Sequence, residues 1–219
     1  IVFGDWSSDV CSSDLDEREM PKFTFKALGK RFMVFMLIVG LFDLGNSSDA
    51  FLVLRAQERG MSVTGILAML AVFNLVYTLI STPAGALSDR IGREKMIIGG
   101  WVVYALVYLG FGLAGSVWHI WVLYILYGLY YGLAYGTAKA MVADLVPANL
   151  RGTAFGTYNA VLGLIDLPAS LIAGLLWQGI GRWGGFGPAA PFLFGAGAAL
   201  LAAVWMALWL RKNSPTVTA

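Results

Sequence analysis

The chain has a single cysteine, Cys11, and a single histidine, His119, among 219 residues. That scarcity excludes a disulfide framework, a cysteine–histidine metal site and a histidine-based catalytic triad within these residues. Charge is scarce as well: Asp, Glu, Lys and Arg together make up 13% of the chain. There is no G-x-x-x-x-G-K-[ST] phosphate loop and no G-x-S-x-G elbow, so ATP hydrolysis and serine-hydrolase chemistry are not encoded here. The G-x-G-x-x-G match at 179–184 follows no strand and lies between two apolar runs, so it does not read as a dinucleotide site. Alternation every second residue is missing too, which argues against a β-barrel. No cofactor, metal or nucleic-acid partner is expected, and not an enzyme.

Apolar residues are what the chain has in quantity: 58% of the total, with a mean hydropathy of +0.73. A membrane-spanning helix needs about 20 apolar residues. Six such runs fit, at 32–54, 63–87, 96–115, 117–145, 153–177 and 190–210. The expected fold is an all-α integral membrane unit over 32–212. A cytoplasmic linker, 16–31, would precede it, and a cytoplasmic tail, 213–219, would follow.

Residues 1–15 stand apart. Gly4–Leu15 matches, residue for residue, a common sequencing-adapter oligonucleotide translated in frame. The segment is set aside from fold reasoning as one would a fusion scar. Without it Cys11 carries no chemistry, and 15 basic against 10 acidic residues remain, a net of +5. The expectation is that coding sequence upstream is missing; the alternative is a start at Met20.

The loops are asymmetric in charge. One side holds Lys22, Lys26, Lys30, Arg31, Arg90, Arg93, Lys95, Arg151, Arg211 and Lys212; the other holds Arg55, Arg59 and Arg182. The positive-inside rule then puts both ends of the segment and the 85–95 loop in the cytoplasm. Trp118, Trp121, Trp177 and Trp209 fall near span ends, where indole rings favour the headgroup level. A weak internal repeat adds organisation. Asn74, Val76, Leu79, Ile80, Pro83 and Ala84 match Asn159, Val161, Leu164, Ile165, Pro168 and Ala169 at an offset of 85 residues. The two copies would cross the membrane in opposite directions, the pattern of a three-plus-three inverted repeat.

Polar residues inside the spans are the candidate site. A charge at mid-membrane costs about 2.5–3.5 kcal/mol on insertion scales. The first run nevertheless carries Asp43, Asn46, Ser47, Ser48 and Asp49. At about 100° per residue Asn46 and Asp49 share a face, with Asp43 within reach of Asn46. This band reads either as a cavity wall with a protonatable carboxylate or as helix–helix hydrogen-bond glue. In the fourth run Tyr124, Tyr127, Tyr131, Tyr135 and Lys139 fall on one arc, beside Gly128, Gly132 and Gly136. The glycines permit close helix approach, while the tyrosines either pack or face a cavity. Lys139 either snorkels to the interface or meets a carboxylate or substrate. Asp166 stands two residues before Pro168, where a carboxylate beside a kink suits coupling or simply a helix–helix hydrogen bond.

Gly85-Ala-Leu-Ser-Asp89-Arg90-Ile-Gly92-Arg93-Glu-Lys95 forms a short charged turn between two spans. It resembles the cytoplasmic signature loop of the major facilitator superfamily, with Glu94 interrupting the usual basic run. The stretches 44–56 and 139–147, and Arg151-Gly-Thr-Ala-Phe-Gly156, are similar to a bacterial permease subgroup of that superfamily. The resemblance covers about 32–210 and implies the C-terminal six helices of a twelve-helix transporter. It further implies alternating access, a small-molecule substrate, an inner-membrane location and a missing N-terminal half. Asp89 would dock on the opposite half, and Arg93 with Asp144, near Arg151, would close the cytoplasmic side. Proton coupling through Asp43 or Asp49 is expected. The alternatives are a dimerising six-helix module, a fragment that does not transport, or a membrane enzyme.

Overall fold

The computed structural model describes residues 25–46 and 49–213. The adapter-like segment with Cys11, Lys22 of the linker, Ser47, Ser48 and the tail from 214 onward lie outside the described residues. In lipid no water satisfies a bare backbone, so long apolar runs close their hydrogen bonds within helices. Six spans result: Gly29–Glu58, Val63–Ile91, Arg93–Leu113, Val117–Asp144, Ala148–Gln178 and Ala190–Lys212. Among the described residues the only β pairing is an isolated bridge between Ile180 and Trp183.

The first span is not the continuous helix expected over 32–54. Helix α1, Gly29–Gly45, ends in Asn46 (φ −90°, ψ 78°), whose N–H donates to the Asp43 carbonyl at 2.9 Å. Helix α2, Asp49–Glu58, then begins. Gly45 is a weak helix residue, and Asn, Ser and Asp side chains compete with the backbone for its own hydrogen bonds. At its other end α1 takes in Lys30 and Arg31, so the helix starts inside the expected linker 16–31.

Helix α3, Val63–Ile91, starts on Ser62, whose Oγ accepts from the Gly65 N–H at 3.1 Å. Helix α4, Arg93–Leu113, follows after one residue, Gly92, at φ 99°. A side chain at that residue would be strained, so glycine makes the turn possible.

The fourth span is interrupted too. Helix α5, Val117–Tyr130, passes into a π-helical turn, Tyr131–Tyr135, before helix α6, Gly136–Asp144. A π turn winds wider than an α turn and rotates whatever follows it. The expected single arc from Tyr124 to Lys139 is therefore split. Tyr124 and Tyr127 are buried, while Tyr135 is exposed and Tyr131 and Lys139 are half-buried.

Helix α7, Arg151–Gln178, and helix α8, Ala190–Asn213, complete the unit. α8 packs chiefly on α4 and α1, α3 on α5, and α7 on α1 and α6. Two glycines of the fourth span set the α3 contact: a Cβ on Gly132 would lie 2.5 Å from Ile80 Cγ2, and one on Gly128 3.0 Å from the Phe73 carbonyl. Aromatic rings fill the centre, with Phe42 stacked on Trp101 at 4.8 Å and Tyr104 on Tyr108 at 4.0 Å.

Burial is uneven. Only 11% of the apolar window of the second and fifth spans is buried, against 38% to 56% in the other four. These two helices are the ones that carry the repeat, with Pro83 inside α3 and Pro168 inside α7.

Candidate functional site

A cavity of about 60 Å³ opens between α1, α4, the π turn, α6 and α7. Asp43 and Asn46 supply its polar side. Trp101 from α4, Tyr130, Tyr131 and Tyr135 around the π turn, and Tyr158 from α7 supply most of the rest. The position of Asp43 follows from α1: the turn before the break points inward, and the residue is 7% exposed. Its Oδ2 is buried with no hydrogen-bond partner. Asp166, exposed on α7, lies within electrostatic reach of Asp43 but does not line the cavity. An ionised carboxylate away from water is costly unless a cation, proton or donor set compensates it. The site can therefore take up positive charge.

The other candidates divide. Asn46 Oδ1 lies 3.2 Å from the Tyr104 hydroxyl, which donates to it. Asp49 Oδ1 accepts from the Tyr127 hydroxyl at 2.9 Å, which ties the start of α2 to α5 and keeps Asp49 off the cavity wall. Lys139 folds onto Tyr135, with Nζ 3.1 Å from the hydroxyl and 4.3 Å from the ring centroid. Asn46, Tyr131 and Tyr135 thus share the cavity with Asp43; Asp49, Lys139 and Asp166 are its neighbours.

The charged turn forms a second cluster. Arg93 pairs with Asp144 at 2.9 Å and with Asp89 at 3.3 Å, joining the end of α3, the start of α4 and the end of α6. Arg151 Nε donates to the Ala143 carbonyl at 3.3 Å. Arg90 is exposed, and Gly85 faces open space on α3. Among the described residues no cluster of His, Cys, Asp and Glu could hold a metal ion.

Sequence reasoning missed Trp101, Tyr130 and Tyr158 as cavity residues, because nothing in an apolar run separates a lining ring from a packed one. It also misplaced Arg55. Counted with an external loop, Arg55 is instead 2% exposed within α2. Its Nε donates to the Phe111 carbonyl at 3.0 Å and its second terminal nitrogen to the Gly112 carbonyl at 2.9 Å. The remaining nitrogen pairs with Glu58. The guanidinium therefore caps the C-terminus of α4, where carbonyls lack helical partners and the dipole favours a cation. Glu58, three residues on, was the one sequence hint of an ion pair.

A family model, Major Facilitator Superfamily, matches residues 31–219. An uncharacterized MFS-type transporter of Methanocaldococcus jannaschii is 38% identical over 182 residues, 80% of this chain and 44% of that protein. Multidrug resistance protein 2 of Bacillus subtilis is 32% identical, over 66% of this chain and 34% of its own length. A Na(+), Li(+), K(+)/H(+) antiporter of Planococcus maritimus is 27% identical, over 56% and 30%. The chain spans less than half the length of these curated relatives.

Proposed function

The chain belongs to the major facilitator superfamily, and from that premise we propose that its six helices form one wall of a secondary active transporter. The transporter moves a small solute across the cell (inner) membrane by alternating access, in exchange for protons, and performs no enzymatic chemistry. The buried, unpartnered Oδ2 of Asp43 on the central cavity carries this reading. A carboxylate so placed favours alternate neutralisation by a proton and by cargo, which is what exchange requires.

The second wall comes from a further six-helix unit seated on α3 and α7, whose sparse burial within this unit supports that arrangement. Asp89 docks against that unit. The Arg93–Asp144 pair, with Arg151 beside it, closes the cytoplasmic side. Asp49, Lys139 and Asp166 adjust the charge around the cavity.

The test uses the full-length transporter in sealed vesicles with an imposed pH gradient. A panel of solutes is added and gradient dissipation is followed. At least one solute should dissipate the gradient in the wild type. Asp43→Asn should abolish that response while solute–solute exchange persists; Asp49→Asn should weaken it. Full dissipation by both variants would sink the coupling assignment.

A second reading, a stand-alone six-helix module that dimerises, rests on the same exposed faces of α3 and α7. The mass of the reconstituted particle separates the two: a homodimer of this chain favours the second.

A further inference from the structure

We propose that the cavity beside Asp43 binds the head of an organic cation: an ammonium group carrying apolar substituents. The inference deepens the transport reading in naming a substrate class, but the binding claim needs only residues of this chain.

Three observations converge. The first is charge. The groups that face Asp43 are Asn46 just beyond its own helix, Asp166 and Tyr158 on α7, and Tyr130, Tyr131 and Tyr135 on the fourth span. Helix α8, which also packs on α1, has its basic residues, Arg211 and Lys212, in its last turn. The nearest lysine, Lys139, is committed to the Tyr135 ring and hydroxyl. Asp43 thus stands at the cavity with no cation assigned to it, and Asp166 nearby adds negative charge rather than relieving it.

The second is the orphan oxygen. Asp43 is 7% exposed, lines the cavity, and holds Oδ2 without a hydrogen-bond partner. Native buried polar atoms almost always find one, and a cation entering the cavity is a partner for this atom.

The third is the wall. Phe42, Trp101, Tyr130, Tyr131, Tyr135 and Tyr158 all line the space. Aromatic faces attract cations within about 6 Å of the ring centroid and are the usual recognition surface for quaternary ammonium groups. Lys139 gives the internal precedent: its own ammonium already rests 4.3 Å from the centroid of one of these rings. A strongly hydrated metal ion would gain little from such walls, and an anion would meet Asp43. An alkylated ammonium meets an apolar wall and a countercharge together.

The experiment compares choline with its uncharged isostere, 3,3-dimethylbutan-1-ol, by calorimetric titration of the full chain in lipid nanodiscs. Choline should bind at least tenfold more tightly. Equal affinities, or no choline binding, overturn the proposal. Asp43→Asn should weaken choline binding at least tenfold while its thermal unfolding, followed by tryptophan fluorescence, stays cooperative. A folded variant with unchanged affinity overturns the role of Asp43. Tyr131→Leu should weaken binding and Tyr131→Phe restore it; equal loss in both would overturn the aromatic contribution. If choline binds as described but no solute dissipates the pH gradient, the transport reading falls and the cation site stands. If gradient dissipation requires Asp43 but choline fails to bind, the cation inference alone falls.

Discussion

Asp43 and Arg55 are both buried and both ionisable, and their surroundings are opposites. Arg55 has its donors satisfied by the end of α4 and by Glu58, whereas Asp43 keeps an oxygen without a partner. The first arrangement is that of a structural clamp, and the second is the one on which the proposed cation site rests. Arg55→Met should lower stability by about 2–3 kcal/mol, since charge-assisted bonds to buried carbonyls are lost and those carbonyls stay buried. Arg55→Lys should fall between, because an ammonium cannot reproduce the planar fork. Denaturant unfolding in detergent micelles checks both; wild-type stability in Arg55→Met would refute the clamp. The sequence showed both residues as charges in or near apolar runs. Which was satisfied and which was orphaned depended on where Phe111 and Gly112 arrive from α4, far along the chain.

At the scale of elements, two spans depart from regular helices, and the departures place the site. The break after Gly45 and the π turn at Tyr131–Tyr135 both contribute residues to the same cavity. The break was foreshadowed by the polar run at 46–49; the π turn was not, because glycine spacing reads equally well as regular helix packing. That packing makes an unequal pair of predictions. Gly132→Ala must push Ile80 aside and should cost about 1–3 kcal/mol, the range for overpacking. Gly136→Ala meets nothing within 4 Å and should be neutral to slightly stabilising, as alanine is the better helix former. Thermal unfolding of the two variants side by side decides it; similar losses would mean that α3 does not approach the π turn as closely as described.

The whole molecule adds orientation and partnership. A cysteine at Arg90 should react with an impermeant maleimide only from the cytoplasmic side, and one at Arg182 only from outside. Reversed labelling would overturn the topology. The Arg93–Asp144 pair is partly exposed, so breaking it should change stability by no more than about 1 kcal/mol. On the proposed reading its effect is on access: Asp144→Asn should speed labelling of a cysteine at Ala138, on the cavity wall, from the cytoplasm, and unchanged labelling would remove the pair from the proposed gate. The faces of α3 and α7 matter at this scale because neither is buried by the other four spans. On the proposed reading, in which a second six-helix unit seats on these faces, cysteines at Leu75 and Leu167, both exposed, should crosslink to that unit in the membrane.

The sequence by itself determined the solvent and the plan. Apolar runs of membrane length can close their backbone hydrogen bonds only as helices in lipid, and the charged turn around Gly92 pointed to the family. Those properties are local, written in runs and turns of a few to some twenty residues. The site was partly local as well: Asp43 and Asn46 stand out because a polar group in an apolar run is expensive wherever it ends up. Only the tertiary structure decided that Tyr127 takes Asp49, that Lys139 lies on Tyr135, and that Trp101, Tyr130 and Tyr158 close around Asp43. Those outcomes depend on side chains from helices far apart in the chain meeting at one depth.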